Sequence, residues 1–184
     1  MVSDEQLMER VREGELNLLG ELFERHHRGV FKYCLAVGNN AAVAEDCVSE
    51  AFRRILQYRH SYRGGRFRTW LLRIARNAAM DLLPDQPLEA VVEEVDESPG
   101  PEQLLATGQD HGRLRAALEM INPAYREVIV LARFQELSSR EIGLVVGAEE
   151  GAIRVRMHRA MKALAKAYQA LAEEQESNHA RKSA

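Results

Sequence analysis

The sequence predicts an all-α protein: two small helical domains joined by an acidic flexible linker, the second a helix-turn-helix. Three observations carry that expectation. Apolar residues recur at spacings of three and four through proline-free segments, the period of a helix with one buried face. No long alternating, strand-period pattern appears; Val91–Val92 and Val128–Leu131 are short β-branched runs without a sheet context. Between Asp85 and Asp110 lie eight acids (Asp85, Glu89, Glu93, Glu94, Asp96, Glu97, Glu102, Asp110), no lysine or arginine, and Pro87, Pro99, Gly100 and Pro101. Proline removes helix hydrogen bonds and like charges repel, so this stretch reads as an extended connector. The expected layout is a first domain at 1–84, a linker at 85–112, a second domain at 113–171 and a polar tail at 172–184 that frays.

In the first domain the helical segments are 16–37, 43–58 and 67–83. In the third, Phe67, Leu71, Ile74, Ala78 and Leu82 fall at spacings of four, three, four and four. In the second domain the segments are 113–121, 124–134, 138–146 and 149–170. Ser138 followed three residues later by Glu141 predicts a capping box, in which each side chain satisfies an orphan backbone N–H. Ile142, Val145 and Val146 supply the packed face of that short helix. Gly147 permits the left-handed turn that ends it. A longer helix then starts near Glu149, with Ile153, Met157, Ala160 and Leu164 as its buried face. Short helix, glycine turn and longer helix compose a helix-turn-helix.

Composition excludes several classes. The chain has 184 residues, 46% apolar and 29% charged, enough to bury a core. Cys34 and Cys47 are too few for a secreted disulfide scaffold, lack a CxxC or Cys/His cluster, and read as core residues. The N-terminal MVSDEQLMERVREGE has no apolar segment of the signal-peptide kind, and no stretch approaches the roughly 20 apolar residues of a membrane span. A cytoplasmic location is expected, with no membrane insertion. No paired-carboxylate, Ser/His/Asp or Cys/His arrangement supports catalysis, and no cofactor or metal is implied. Asp46 and Glu50 form an acidic i,i+4 pair that an exposed docking face explains better than acid–base chemistry.

The net charge of −3 does not itself point to nucleic acid; its distribution does. Residues 151–166 carry Arg154, Arg156, Arg159, Lys162 and Lys166 and no acid. In a helix-turn-helix the start of the second helix enters the major groove, where arginine binds guanine bidentately and lysine meets phosphate. Glu149 and Glu150 suit the positive helix end, or accept a bond from cytosine N4. His158 either touches DNA or covers surface. Residues 59–76 carry Arg59, Arg63, Arg66, Arg68, Arg73 and Arg76 and no acid, interleaved with Tyr58, His60, Tyr62, Phe67 and Trp70. Arginines with neighbouring aromatics suit single-stranded nucleic acid. Phe67 reads as core; Trp70 reads as core or as support for a base pocket.

The strings AEDCVSEAFRRIL (44–56), FRTWLLRIARNAAMDLL (67–83) and INPAYREVIVLARFQELSSREIGLVVGAEEGAIRVRMHRAMKAL (121–164) resemble those of extracytoplasmic-function (group 4) sigma factors of the sigma-70 family. The resemblance covers about residues 14–171. It implies a sigma factor that binds core RNA polymerase and directs promoter-specific initiation, not an enzyme. It implies that Asp46, Ser49, Glu50 and Phe52 dock on core polymerase. Tyr62, Arg63, Arg66, Arg68, Trp70, Arg73, Arg76, Asn77 and Asp81 would meet the −10 DNA, the loop around Tyr62–Arg66 capturing a flipped base. Glu149, Arg154, His158, Arg159 and Lys162 would meet the −35 DNA. The partners implied are core RNA polymerase, promoter DNA and an anti-sigma factor, with the linker threaded through the polymerase cleft. The chain departs from the family pattern at Pro84, at Ser49, at Ala148 where a capping Ser or Thr is common, and in an expected longer loop at 38–44. The alternatives from other classes are a helix-turn-helix regulator of duplex DNA and a sigma-mimicking decoy that binds an anti-sigma factor.

Overall fold

The computed structural model of the chain describes residues 2–82 and 111–182, with the side chains of the last helix described as far as Glu174. The acidic stretch 85–110 and Pro84 therefore lie outside the described residues.

The first helix, α1 (Asp4–Glu13), has no counterpart among the expected segments. Its start is a reciprocal capping box: the Ser3 N–H donates to Gln6 Oε1 (3.0 Å) and the Gln6 N–H donates to Ser3 Oγ (3.2 Å). Gly14, at φ 118°, ends it in the left-handed region. Leu7, Met8 and Val11 form its buried stripe. After a short 3-10 turn at Leu16–Leu18 come α2 (Leu19–Gly38) and α3 (Ala41–Tyr58). The longer loop expected at 38–44 is in fact two residues. Asn39 takes φ 48°, and Asn40 caps α3 by accepting from the Val43 N–H (3.2 Å). Asparagine tolerates the left-handed region and caps well, which is why the connection is so short.

A 3-10 turn (Arg59–Ser61) and a loop lead to α4 (Phe67–Leu82). Of the expected apolar stripe, Phe67, Leu71, Ile74 and Ala78 are buried; Leu82, at the helix end, is 40% exposed. Cys34 on α2 and Cys47 on α3 are buried against each other, filling the core as expected. Hydrogen bonding with Cys47, together with burial, pushes the Cys34 thiol up.

The second domain is α5 (His111–Met120), α6 (Pro123–Arg133), α7 (Ser139–Val146) and α8 (Glu150–Lys182). Asn122 caps α6, accepting from the Ala124 N–H (2.8 Å), and Pro123 occupies the first turn, where its missing N–H costs nothing. The β-branched run Val128–Leu131 is helical and fully buried. The buried Arg126 guanidinium donates to the carbonyls of Leu118 (2.7 Å) and Glu119 (2.9 Å), closing the end of α5. Helical backbone runs on through the polar tail to Lys182, since Gly151 is the last glycine and no proline follows it.

The two domains meet face to face. α2 packs on α6 and α4 on α7, and the apolar core continues from one domain into the other. Among the described residues no helix is long and apolar enough to cross a membrane.

Candidate nucleic-acid interface

The helix-turn-helix forms as its sequence dictates. The Ser138 N–H donates to Glu141 Oε2 (2.9 Å) and the Glu141 N–H donates to Ser138 Oγ (3.3 Å), a complete capping box. Gly147 sits at φ 76° and its N–H returns to the Gly143 carbonyl (2.8 Å). Ile142, Val145, Ile153, Ala160 and Leu164 are buried, and Met157 is half-buried. That packing fixes which side of α8 faces outward. Glu149, Arg154 and His158 are exposed and Arg159 is half-buried. Arg154 is ion-paired one turn back with Glu150. Lys162 differs from a free phosphate contact: its Nζ is shielded from solvent, with no hydrogen-bond partner among the described residues.

Gly143 is a residue that the sequence reading passed over. A Cβ there would stand 2.5 Å from the Ala148 carbonyl oxygen, so the turn between α7 and α8 requires glycine at this point. The spacing of Gly143 and Gly147, both inside the turn unit, was the available signal.

In the first domain the basic and aromatic patch separates into parts. Tyr62 is fully buried, its ring 5.2 Å from Trp70 and 6.4 Å from Phe67, and its hydroxyl donates to the Gly65 carbonyl (2.5 Å). Burial, with the Glu5 and Glu9 carboxylates nearby, pushes the Tyr62 hydroxyl up to about 12. Trp70 is 9% exposed. Tyr62, expected in the base-capturing loop, and Trp70, read as core or as support for a base pocket, are both buried in this conformation. Gly64 and Gly65, both at positive φ, carry the loop over them and leave Arg63 exposed. Along α4, Arg73 and Asn77 lie one turn apart and are exposed. Asp81 instead accepts from Arg54 (2.7 Å), tying the end of α4 to α3.

Arg59 donates to the Leu56 carbonyl (2.9 Å) within its own domain, whereas three other arginines of the patch face the second domain. Arg66 is paired with Glu141 (2.9 Å), Arg68 donates to Gln135 Oε1 (3.0 Å), and Arg76 is paired with Glu127 (2.9 Å). Burial works to raise the Glu141 carboxyl, but hydrogen bonds from Arg66 and from Ser138 outweigh it and hold the group down at about 2. Glu127, fully buried on α6, also accepts from the Tyr33 hydroxyl (2.7 Å). Its position was visible only as a lone acid inside the apolar run of α6.

On the candidate docking helix α3, Asp46 and Ser49 are exposed, whereas Phe52 is buried with its ring edge against Phe23 at 4.9 Å. Glu50 is held by Arg53 and Arg54, whose hydrogen bonds bring its carboxyl down to about 2. Among the described residues no group of three or more His, Cys, Asp or Glu side chains is placed to hold a metal ion.

Two family models match the chain: Sigma-70 region 2 over residues 22–86 and Sigma-70, region 4 over residues 111–164. The chain is similar to the RNA polymerase sigma factor CarQ of Myxococcus xanthus, 33% identical over 161 residues, covering 85% of this chain and 92% of CarQ. It is also similar to the ECF RNA polymerase sigma factor SigE of Mycolicibacterium smegmatis, 32% identical over 151 residues; the match covers 78% of this chain but spans only 59% of SigE. The fold is that of CnrH, solved in complex with the cytosolic domain of CnrY, at a TM-score of 0.71 and 23% identity, covering 91% of this chain and 97% of that one. With both regions matched, CarQ aligned over nearly its whole length and the ECF factor SigE 32% identical over 78% of this chain, the chain belongs to the sigma-70 family of RNA polymerase sigma factors, in its extracytoplasmic-function (group 4) branch.

Proposed function

We propose that the chain docks on core RNA polymerase through α3 and directs promoter-specific initiation, with α8 reading the −35 element and α4 the −10 element. The observation that carries this reading is the exposed start of α8. Arg154 and His158 stand one turn apart at the leading end of a correctly built helix-turn-helix, where major-groove contacts are made. The exposed Arg73 and Asn77 on α4 supply a second, separate row for −10 contacts. Trapping unpaired non-template bases there would offset part of the few kcal/mol needed to unstack and unpair them. The chain supplies specificity and the polymerase supplies bond formation. A regulatory protein partner, of the anti-sigma kind, fits the same reading: CnrH was solved with a protein domain bound to it.

The test is runoff transcription with purified core polymerase, this chain and a library of promoter DNA. Selective initiation from templates sharing −35 and −10 elements is the expected result. Absence of both core binding and initiation, where a control sigma factor works, overturns the reading.

A further inference from the structure

The outward face at the start of α8 holds two residues to which the proposed function gives no part. Gly151, Arg154, Val155 and His158 are exposed. At about 100° of turn per residue, these four fall within one arc roughly 100° wide. Val155 is the apolar member of that arc and is 46% exposed, whereas the packed side of α8 carries Ile153, Ala160 and Leu164. A single exposed valine is ordinary. Here it shares its face with a glycine, one turn back, that the fold does not require.

A Cβ at Gly151 meets no atom within 4 Å among the described residues, and the Gly151 backbone is not left-handed. Neither space nor φ calls for glycine there. Glycine is disfavoured in a helix relative to alanine, and valine loses χ1 freedom in one. Both residues are locally poor choices on a solvent-facing turn, and both become good ones against DNA. A residue without a Cβ lets a base pair come close to the helix. Valine has no donor or acceptor, so of the groups that base pairs present in the major groove, the thymine methyl is the one that suits it. We infer that Gly151 and Val155 form an apolar step that receives a thymine 5-methyl group, so that the chain reads an A·T pair beside the base pair read by Arg154. The inference rests on the reading of α8 as the −35 reader.

Spacing and chemistry both fit a paired reader. Consecutive Cα atoms lie about 3.8 Å apart and base pairs about 3.4 Å apart, so side chains adjacent in sequence reach adjacent pairs. Arg154 selects by hydrogen bonds. Val155 selects by exclusion as well as by contact: a G·C pair at its position offers no methyl, and its polar edge would lose water without gaining a partner.

The test uses holoenzyme assembled from core polymerase and the full chain, on a promoter that the wild type selects. Each thymine of the −35 duplex, on either strand, is replaced in turn by deoxyuridine, which removes only the 5-methyl group. Promoter affinity is measured by equilibrium competition for wild type, Val155→Ser, Gly151→Ala and Arg154→Ala. One deoxyuridine position is expected to weaken wild-type binding about fourfold, the worth of one buried methyl group. Val155→Ser should bind the thymine and deoxyuridine promoters equally, because valine and methyl act as a coupled pair. Gly151→Ala should bind the thymine promoter more weakly although its urea midpoint is not lowered, a combination that a purely structural role does not produce. A wild type indifferent to every deoxyuridine, or the same penalty in Val155→Ser as in wild type, overturns the inference. So does unchanged promoter affinity in Gly151→Ala. Failure of the −35 reading itself looks different: Arg154→Ala then leaves base preference unchanged as well.

Discussion

Ser138 and Glu141 show how much two side chains can decide. They start α7 reciprocally, and Glu141 then reaches Arg66 across the domain seam. Ser138→Ala removes the cap and is expected to cost about 1 kcal/mol, read as a lower urea midpoint. Glu141 also sets a pH dependence. Its carboxyl is held at about 2 against an ordinary 4.5, so the folded form favours the ionised group. Its contribution to stability is complete above about 4.5 and is lost as pH falls from there through about 2. The difference in urea midpoint between wild type and Glu141→Gln should therefore be largest near neutral pH and shrink at about pH 2; a difference independent of pH would contradict the assignment. The capping pair was legible because its spacing is local. The fate of Tyr62 was not: an aromatic beside arginines in a glycine loop reads as a base-stacking residue, and the structure turns it into the core against Trp70.

Elements with strong local punctuation were legible, and punctuation also explains the exceptions. The α7–α8 unit follows from its cap, its glycine and its apolar spacing. α1 carries equally good signals, Ser3 with Gln6 at its start and Gly14 at its end, yet its short apolar stripe of Leu7, Met8 and Val11 lies in a charged stretch that hides it. Glycines test the turn directly because their roles differ. Gly143→Ala places a methyl 2.5 Å from the Ala148 carbonyl and is expected to destabilise by about 1–3 kcal/mol through backbone shifts. Gly147→Ala imposes a left-handed φ on an L-residue, costing roughly 1–2 kcal/mol. Gly151→Ala, on α8 with open space around it, should stabilise by up to about 1 kcal/mol. Urea unfolding of the three variants checks the order; a loss at Gly151 equal to that at Gly143 would contradict the account of the turn.

For the whole molecule, fold class was readable from periodicity and the acidic divide, while the closed arrangement of the domains was not. Tyr33 and Glu127 are 94 residues apart, Arg66 and Glu141 are 75 apart, and no local pattern links such pairs. Of the expected contact residues, Arg63, Arg73, Asn77, Arg154 and His158 are exposed, Arg68 and Arg76 are engaged across the seam, and Arg66 is both exposed and paired with Glu141. On the proposed function, Arg154 on α8 and Arg73 on α4 belong to two separable DNA contacts. Arg154→Ala removes a side chain exposed at the start of α8; if it reads one base bidentately, discrimination there falls by about 1–3 kcal/mol. Arg73→Ala should leave −35 preference intact and weaken −10 use.

The most direct measurement is promoter-library transcription with core polymerase, comparing wild type, Arg154→Ala and Arg73→Ala base by base. The account predicts selective initiation by the wild type, relaxed preference confined to −35 positions for Arg154→Ala, and weakened use of −10 positions for Arg73→Ala. Initiation whose base preferences are unchanged by either substitution, or no initiation at all beside a working control, would contradict it.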